Sequence, residues 1–372
     1  MFQLKAETCP RAPHMQAGCY HFIPRRTFMR IRRSFPIALA VVVVAAAIVF
    51  AVQLRKHAPP EPARLLPGAD AFLYADFSWI RKVSSRPLPA VSHDPDYEKF
   101  IQETGFQFER DLDTVAFAVH YPTAGATKSS PATRSEPRFS EVFVGKFDGT
   151  RLAAYLKKIA NSIENYNSLD IFTIPIEGRP FRVAILSVDA VAASNHDDPA
   201  VIRGIVDRSR RLASPFGGPA FLRRYFKRVQ LASPVWMVAR VDPSSTREFG
   251  GWSDFLTKPA DLVISASYNP LHLPLRTDAL HLRGEAWAED EEDARNLAEK
   301  LNVFLSMFHA AETSVGSGTD TDIKALFDSV KVRQEDKRAV VYATVPIGVF
   351  RKLLENPPLP PEVPVGAASK SR

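Results

Sequence analysis

The sequence predicts an α+β fold: mainly antiparallel sheet or sheets with helices on one face, in two degenerate repeats, preceded by one transmembrane helix. Three observations predict it. Residues 35–52 form an uncharged apolar run. Beyond it, short segments rich in β-branched and aromatic residues alternate with turn formers, as strands joined by hairpins do. Between those segments lie stretches whose apolar residues recur at helical spacing.

The apolar run, FPIALAVVVVAAAIVFAV, is extended by Gln53 and Leu54 before Arg55 and Lys56. A bilayer core needs roughly 20 helical residues, so residues 35–54 are expected to span a membrane and to have the lipid bilayer as their partner. Seven basic residues and only Glu7 among the acidic ones precede it within residues 1–34, nearly the whole formal charge of +7. Cations stay on the cytoplasmic side. The expected topology is therefore single-pass in the inner (cytoplasmic) membrane, with a cytoplasmic N-terminus and an extracytoplasmic C-terminal domain. A cleaved signal peptide is the alternative. The run exceeds the usual h-region, and no A-x-A site follows it. Met29 offers a second start immediately before the run, and a chain starting there would contain neither Cys9 nor Cys19.

Residues 55–64 read as a Pro-rich spacer. Ala71–Phe77 reads as a strand and Asp94–Thr104 as a helix, with Asp94 as N-cap, Pro95 at its first position and Gly105 past its end. Strands follow at Thr114–Tyr121 and Phe139–Phe147, separated by a Ser/Thr/Pro-rich loop over Pro122–Arg138. Asp148 is expected to cap a helix running to about Asn165, with Leu152, Leu156, Ile159, Ala160 and Ile163 as its buried stripe. Leu169–Ile176 and Phe181–Ser187 form a predicted hairpin, Ala190–Ser194 a short strand, and Asp198–Leu212 a helix.

The second half runs similarly. Val235–Val241, Leu262–Tyr268 and Leu280–Ala288 read as strands, with a short helix within Ser244–Thr257. Asp290–Glu312 has the strongest helical period, with Ala294, Leu297, Leu301, Phe304, Phe308 and Ala311 on one face. A small helix at Thr321–Phe327, a hairpin of Val330–Arg333 with Ala339–Val345, and a helix at Gly348–Leu354 complete it. The domain plan is half 1 over 65–213, a basic amphipathic connector over 214–230, half 2 over 231–356, and a disordered tail over 357–372.

Function is less legible. Residues 35–372 are nearly neutral, which removes the long-range attraction that nucleic-acid binding uses, so nucleic acid is not an expected partner. The sequence holds no H-E-x-x-H, G-x-S-x-G or G-x-x-x-x-G-K-[ST], and residues 35–372 contain no cysteine. No catalytic, cofactor or metal residue is therefore named, and His93, His120, His196, His272, His281 and His309 are expected to be structural. The sharpest feature is Pro219–Val229, PAFLRRYFKRV. Phe221, Tyr225 and Phe226 fall on one helical face, and Arg223, Arg224, Lys227 and Arg228 on the other. A basic amphipathic helix with aromatic anchors suits a membrane surface or a docking partner; packing into the domain core is the competing reading. Arg203, Arg208, Arg210 and Arg211 lie upstream of it.

Leu66-Pro67-Gly68-Ala69-Asp70 leading into Tyr74-Ala75-Asp76, then Glu103-Thr104-Gly105-Phe106 with Arg110-Asp111-Leu112-Asp113, and the helix start Glu291-Glu292-Asp293-Ala294, carry a resemblance. In these segments the chain resembles uncharacterised membrane-anchored bacterial proteins with a repetitive extracytoplasmic α+β domain of unknown function. The resemblance implies an address in the cell envelope and no site residue. The first expectation is a non-enzymatic binding or scaffold module of the envelope with an envelope protein or anionic surface as partner. The alternatives are a hydrolase-like envelope enzyme with dispersed residues, and a basic-surface protein binding an anionic polymer.

Overall fold

In the computed structural model the chain divides into two compact units, 1–55 and 56–372. The structure describes residues 58–83, 94–121, 137–176, 178–210, 217–243, 256, 258–268, 279–315, 321–349 and 352, all in the second unit. The expected tail and membrane helix, the loop over 122–136, the helix within 244–257 and the C-terminal tail lie outside the described residues, apart from Leu256. Among the described residues, no helix is long and apolar enough to cross a membrane.

Twelve antiparallel strands make one sheet: β1 (Ala71–Asp76), β2 (Leu112–His120), β3 (Arg138–Gly145), β4 (Ser162–Tyr166), β5 (Leu169–Ile176), β6 (Arg179–Ile185), β7 (Ala190–Ser194), β8 (Val235–Val241), β9 (Ala260–Ser267), β10 (Ala279–Trp287), β11 (Lys331–Glu335) and β12 (Arg338–Pro346). Their order is β11-β12-β10-β9-β8-β1-β2-β3-β7-β6-β5-β4. The helices are α1 (Glu61–Leu65), α2 (Phe77–Val83), α3 (Pro95–Thr104), α4 (Phe108–Asp111), α5 (Gly149–Ile159), α6 (Ala200–Arg210), α7 (Ala220–Phe226), α8 (Glu291–Val315) and α9 (Thr321–Ser329).

The seam between the two predicted halves is itself a strand pair. β1 and β8 run antiparallel with Leu73 opposite Met237 at the centre of the register. Outward from this seam the two arms share a plan. Three consecutive strands form a meander (β1-β2-β3 and β8-β9-β10), and a helix follows the third (α5 and α8). The chain then returns to lay a later strand, β7 or β12, against that third strand.

Helices cover both faces of the sheet, which corrects the expectation of one face. Consecutive residues show why. Ile171, Ala184 and Ala192 pack with Ile202, Ile205 and Val206 of α6 and with Leu65 and Leu66. Their chain neighbours Phe172, Val183, Val191 and Ala193 pack with Leu152 and Leu156 of α5 on the opposite face. A strand residue and its successor point to opposite faces, so β5, β6 and β7 are apolar on both.

Other boundaries also move. The predicted spacer over 55–64 contains most of α1: Pro62 sits near its start, where a missing N–H costs nothing, and Ala63 is fully buried. Phe77, read as the last residue of a strand, instead starts α2, which runs on through residues given no element, because Asp76 Oδ1 accepts from Ser78 Oγ and Trp79 N. The predicted helix to Asn165 stops at Ile159; Ile163 belongs instead to edge strand β4, where it is 47% exposed. In α8, Ala294 and Leu297 are buried as expected, but Phe304 is 51% exposed because that part of the helix has passed the packed interface with β11 and β12.

Candidate functional site

The helix singled out in the sequence sits over the sheet's centre. Tyr225 stacks edge-on against Phe221 at 5.2 Å between ring centroids and donates a hydrogen bond to Asp261 Oδ2. Burial, then that hydrogen bond, pushes its hydroxyl up to about 12. Phe226 packs edge-on to Trp236 at 5.1 Å, and Phe221 lies 6.4 Å from Phe72. The aromatic face is thus committed to the core. Arg223, Arg224, Lys227 and Arg228 face solvent. Arg224 lies over the Tyr225 ring and Arg228 over Trp287, at 5.4 and 4.8 Å. Of the upstream cations, Arg211 lies outside the described residues and the other three have partners of their own. Arg203 pairs with Glu164 at 2.8 Å, Arg208 donates to the Leu65 carbonyl, and Arg210 donates to the Ser168 carbonyl.

Among the described residues, two hollows are large enough to hold a small molecule. One, of about 270 Å³, lies at the β1–β8 seam beside Asp76, Trp79, Gln230 and Tyr268. Its polar atoms already have structural work: Asp76 caps α2, and Gln230 Oε1 accepts from Ser265 and Ser267. The other, of about 380 Å³, lies between α3, α5 and the β3–β7 face of the sheet. That is within the size range of small-molecule sites.

The larger cavity is built by helix ends that the sequence specifies closely. α3 starts where Asp94 accepts from Asp96 N and stops at Gly105, which is left-handed (φ 75°) and donates to the Ile101 carbonyl. Such a glycine cap is the ordinary way to end a helix. Asp148 caps α5 by accepting from Thr150 N and Arg151 N. Arg151 then reaches back to α3, donating to the Glu103 and Gln102 carbonyls at 3.0 and 2.6 Å, and Lys158 pairs with Glu103 at 2.8 Å. The two helices are clamped at this end, where α3 leaves carbonyls without intrahelical partners.

Aromatic rings fix the cavity wall. Phe106 stacks on Phe147 at 4.4 Å and meets Phe108 edge-on at 5.1 Å, while Phe100 meets Tyr155 edge-on at 5.4 Å. Behind them, Tyr97 donates to Glu109 at 2.6 Å and accepts from Phe108 N at 3.1 Å, tying α3 to the start of α4. Burial, then the Glu109 hydrogen bond, pushes the Tyr97 hydroxyl up to about 12. Ile159 and Ile176, both more than a third exposed, lie at the cavity's open side.

One carboxyl group enters this apolar space. Glu141 of β3 lies on the face shared by Phe117 of β2 and Ala193 of β7, its register partners. Among the described residues, no side chain hydrogen-bonds to it or forms an ion pair with it. Burial alone pushes its carboxyl up to about 7. A neutral Glu141 both donates and accepts a hydrogen bond; an ionised one attracts a cation.

Sequence reasoning missed this residue. In Ser140-Glu141-Val142-Phe143 a glutamate beside apolar residues reads as a solvent-facing strand position. The only local signal was the aromatic run around Phe100, Phe106 and Phe108. Two of the described histidines, His120 and His196, lie 5.1 Å apart, and His120 is pushed down to about 4 by burial and then by His196; His93, His272 and the His309 side chain lie outside the described residues. Among the described residues no group of three or more His, Cys, Asp or Glu is placed to hold a metal.

No family model and no curated protein matches the chain. Among solved structures, crystal form III of TP0453 is similar over 80% of this chain and 97% of that one, with a TM-score of 0.43 and 10% identity. Crystal form IV of TP0453 gives a TM-score of 0.42 with 11% identity, over 80% of this chain and 98% of that one. A likeness of that size assigns neither family nor function.

Proposed function

We propose that the protein is a membrane-tethered, non-enzymatic binding module that holds an apolar small molecule in the cavity between α3, α5 and the sheet. The observation that carries this reading is the cavity itself: about 380 Å³ walled by rings and aliphatic side chains, with the Glu141 carboxyl as its main polar feature. A protein interior is otherwise close-packed, and an apolar hollow open to solvent is favourable ground for an apolar ligand. The tether is residues 35–54 and the orientation follows the basic tail, which puts the domain in the cell envelope. The shared plan of the two arms supports an origin by duplication, with this cavity in the first arm.

A neutral fluorescent probe, N-phenyl-1-naphthylamine, tests the reading on the full chain. It is expected to brighten on binding, and Ile174→Trp, which fills the cavity from β5, should weaken binding at least about tenfold. Equal binding by the two proteins would place the probe elsewhere and sink the proposal.

The basic face of α7 supports a second reading. Arg223 and Arg224 of α7, with Lys227 and Arg228 in the turn that follows it, are exposed to solvent and would suit an anionic polymer or headgroup. Binding to such a partner should fall steeply with salt, unlike binding in the cavity.

A further inference from the structure

We propose that the cavity selects a hydrophobic amine, with the apolar part among the rings and the nitrogen on Glu141. This rests on the apolar-ligand reading above and adds the head group.

The fold treats two glutamates at inner strands of its sheet differently. Glu285 of β10 is 3% exposed and has Arg283 Nη2 at 2.8 Å and Arg338 Nη1 at 2.9 Å. Glu141 has no such cation among the described residues, although an isolated ionised carboxylate in apolar surroundings is costly. Nor does the sheet require a carboxyl at this place. The register row runs from the Leu73–Met237 seam through Phe117 to Glu141 in one arm, and through Ile264 to Gly284 in the other. A Cβ built on Gly284 meets nothing closer than Ile264 Cγ1 at 3.9 Å. The corresponding position thus works without any side chain, and the glutamate is an addition confined to the arm that has the cavity.

The chemistry of that addition favours an amine over other polar heads. An amine and a carboxyl brought together in apolar surroundings share one proton as an ammonium–carboxylate pair, each charge stabilising the other. An alcohol donates to the carboxylate or accepts from its protonated form, but it carries no charge to neutralise the carboxylate's. A carboxylic acid would set two carboxyls side by side, so at least one must remain protonated. The ring faces of the wall also attract a cation. Beside the wall, the Tyr155 hydroxyl is pushed up by burial and then by Glu103 and Asp96, with Lys158 opposing.

The test uses the full chain in a nonionic detergent at pH 7.5, with N-phenyl-1-naphthylamine bound. Octylamine, octanol and octanoate compete for the probe in wild type, Glu141→Gln and Glu141→Leu. Octylamine is expected to displace the probe from wild type at about one-tenth the concentration of octanol, an ion pair outweighing a neutral hydrogen bond by roughly that factor. Octanoate should be weakest. Both variants should still bind the probe and lose the preference for the amine. Equal competition by all three in wild type, or a preference unchanged in both variants, overturns the amine assignment while leaving an apolar site. Failure of wild type to bind the probe removes the site and the assignment together. Partitioning into detergent differs among the three ligands but is the same for the three proteins, so the decisive quantity is the change in each ligand's competition from wild type to the variants, in which it cancels.

Discussion

Glu141 shows how one side chain can be set by its surroundings against its own ionisation. The unfolded chain carries a glutamate near 4.5, whereas the folded protein holds it at about 7. Between those values the folded state keeps a proton that the unfolded state has lost, so the group makes stability fall as pH rises from about 4.5 to about 7, and the loss then levels off. Because the cavity admits solvent, the full effect is on the order of 2 kcal/mol rather than the larger figure a sealed site would give. Glu141→Gln, of the same shape and always neutral, should therefore match wild type near pH 4 and exceed its stability by roughly that amount at pH 8. Urea unfolding followed by tryptophan fluorescence at the two pH values would measure it. All four tryptophans lie beyond residue 55, so the signal reports the sheet domain. A wild type whose stability is flat across this range would mean that the carboxyl is solvated. The same residue marks a limit of sequence reading. Glu141 was illegible because its burial comes from helices lying across the second face of the sheet, and its cavity gathers residues from Phe100 to Ala193 with no local pattern among them.

The helices divide into those whose ends are written locally and those bounded by what they pack on. α3 was read with its cap, first proline and terminal glycine in place, because Asp94, Pro95 and Gly105 act within a turn of where they stand. α5 was drawn too long. Ile163 continues its helical spacing, but Ala160 is already extended and the chain joins the sheet as β4. α8 shows the same limit in reverse: the helix continues while its burial stops. Leu297 is 7% exposed and packs with Ala298 and Ala339, whereas Phe304, two turns on and in the same predicted stripe, is 51% exposed. Leu297→Ala should cost about 2–4 kcal/mol, and Phe304→Ala less than about 0.5 kcal/mol. Guanidinium unfolding of the two variants would separate them. Equal and large losses would show that Phe304 is covered in solution, and the exposed end of α8 would then need a partner surface. Periodicity finds such a stripe but cannot tell where the surface beneath it ends.

The two arms are joined through their most central strands, and that decides how the domain should come apart. If β1 and β8 separated, each would become a free edge, β1 of a seven-strand arm that ends at β4 and β8 of a five-strand arm that ends at β11. Tyr74 and Trp236 face each other across the seam in register and stack at 5.4 Å, with Phe226 of α7 edge-on to the same indole. Trp236 is 2% exposed and belongs to the core that also holds α6 and α1. One continuous sheet with a shared core should unfold in one calorimetric transition, although a domain of this length often shows intermediates. Trp236→Ala opens a large hole at the join and should cost about 3–5 kcal/mol, which for a unit of this size lowers the midpoint by about 5 °C. The shape of the transition in that variant is the informative quantity. A single transition moved down in temperature means that the arms depend on each other through the seam. Two transitions, one unchanged and one lowered, would mean that each arm is stable alone and that the sheet is two ancestral units laid edge to edge. In that case the cavity between α3 and α5, which lies wholly in the first arm, should keep its probe after the second arm has melted; in a cooperative sheet, probe release and loss of the seam should coincide.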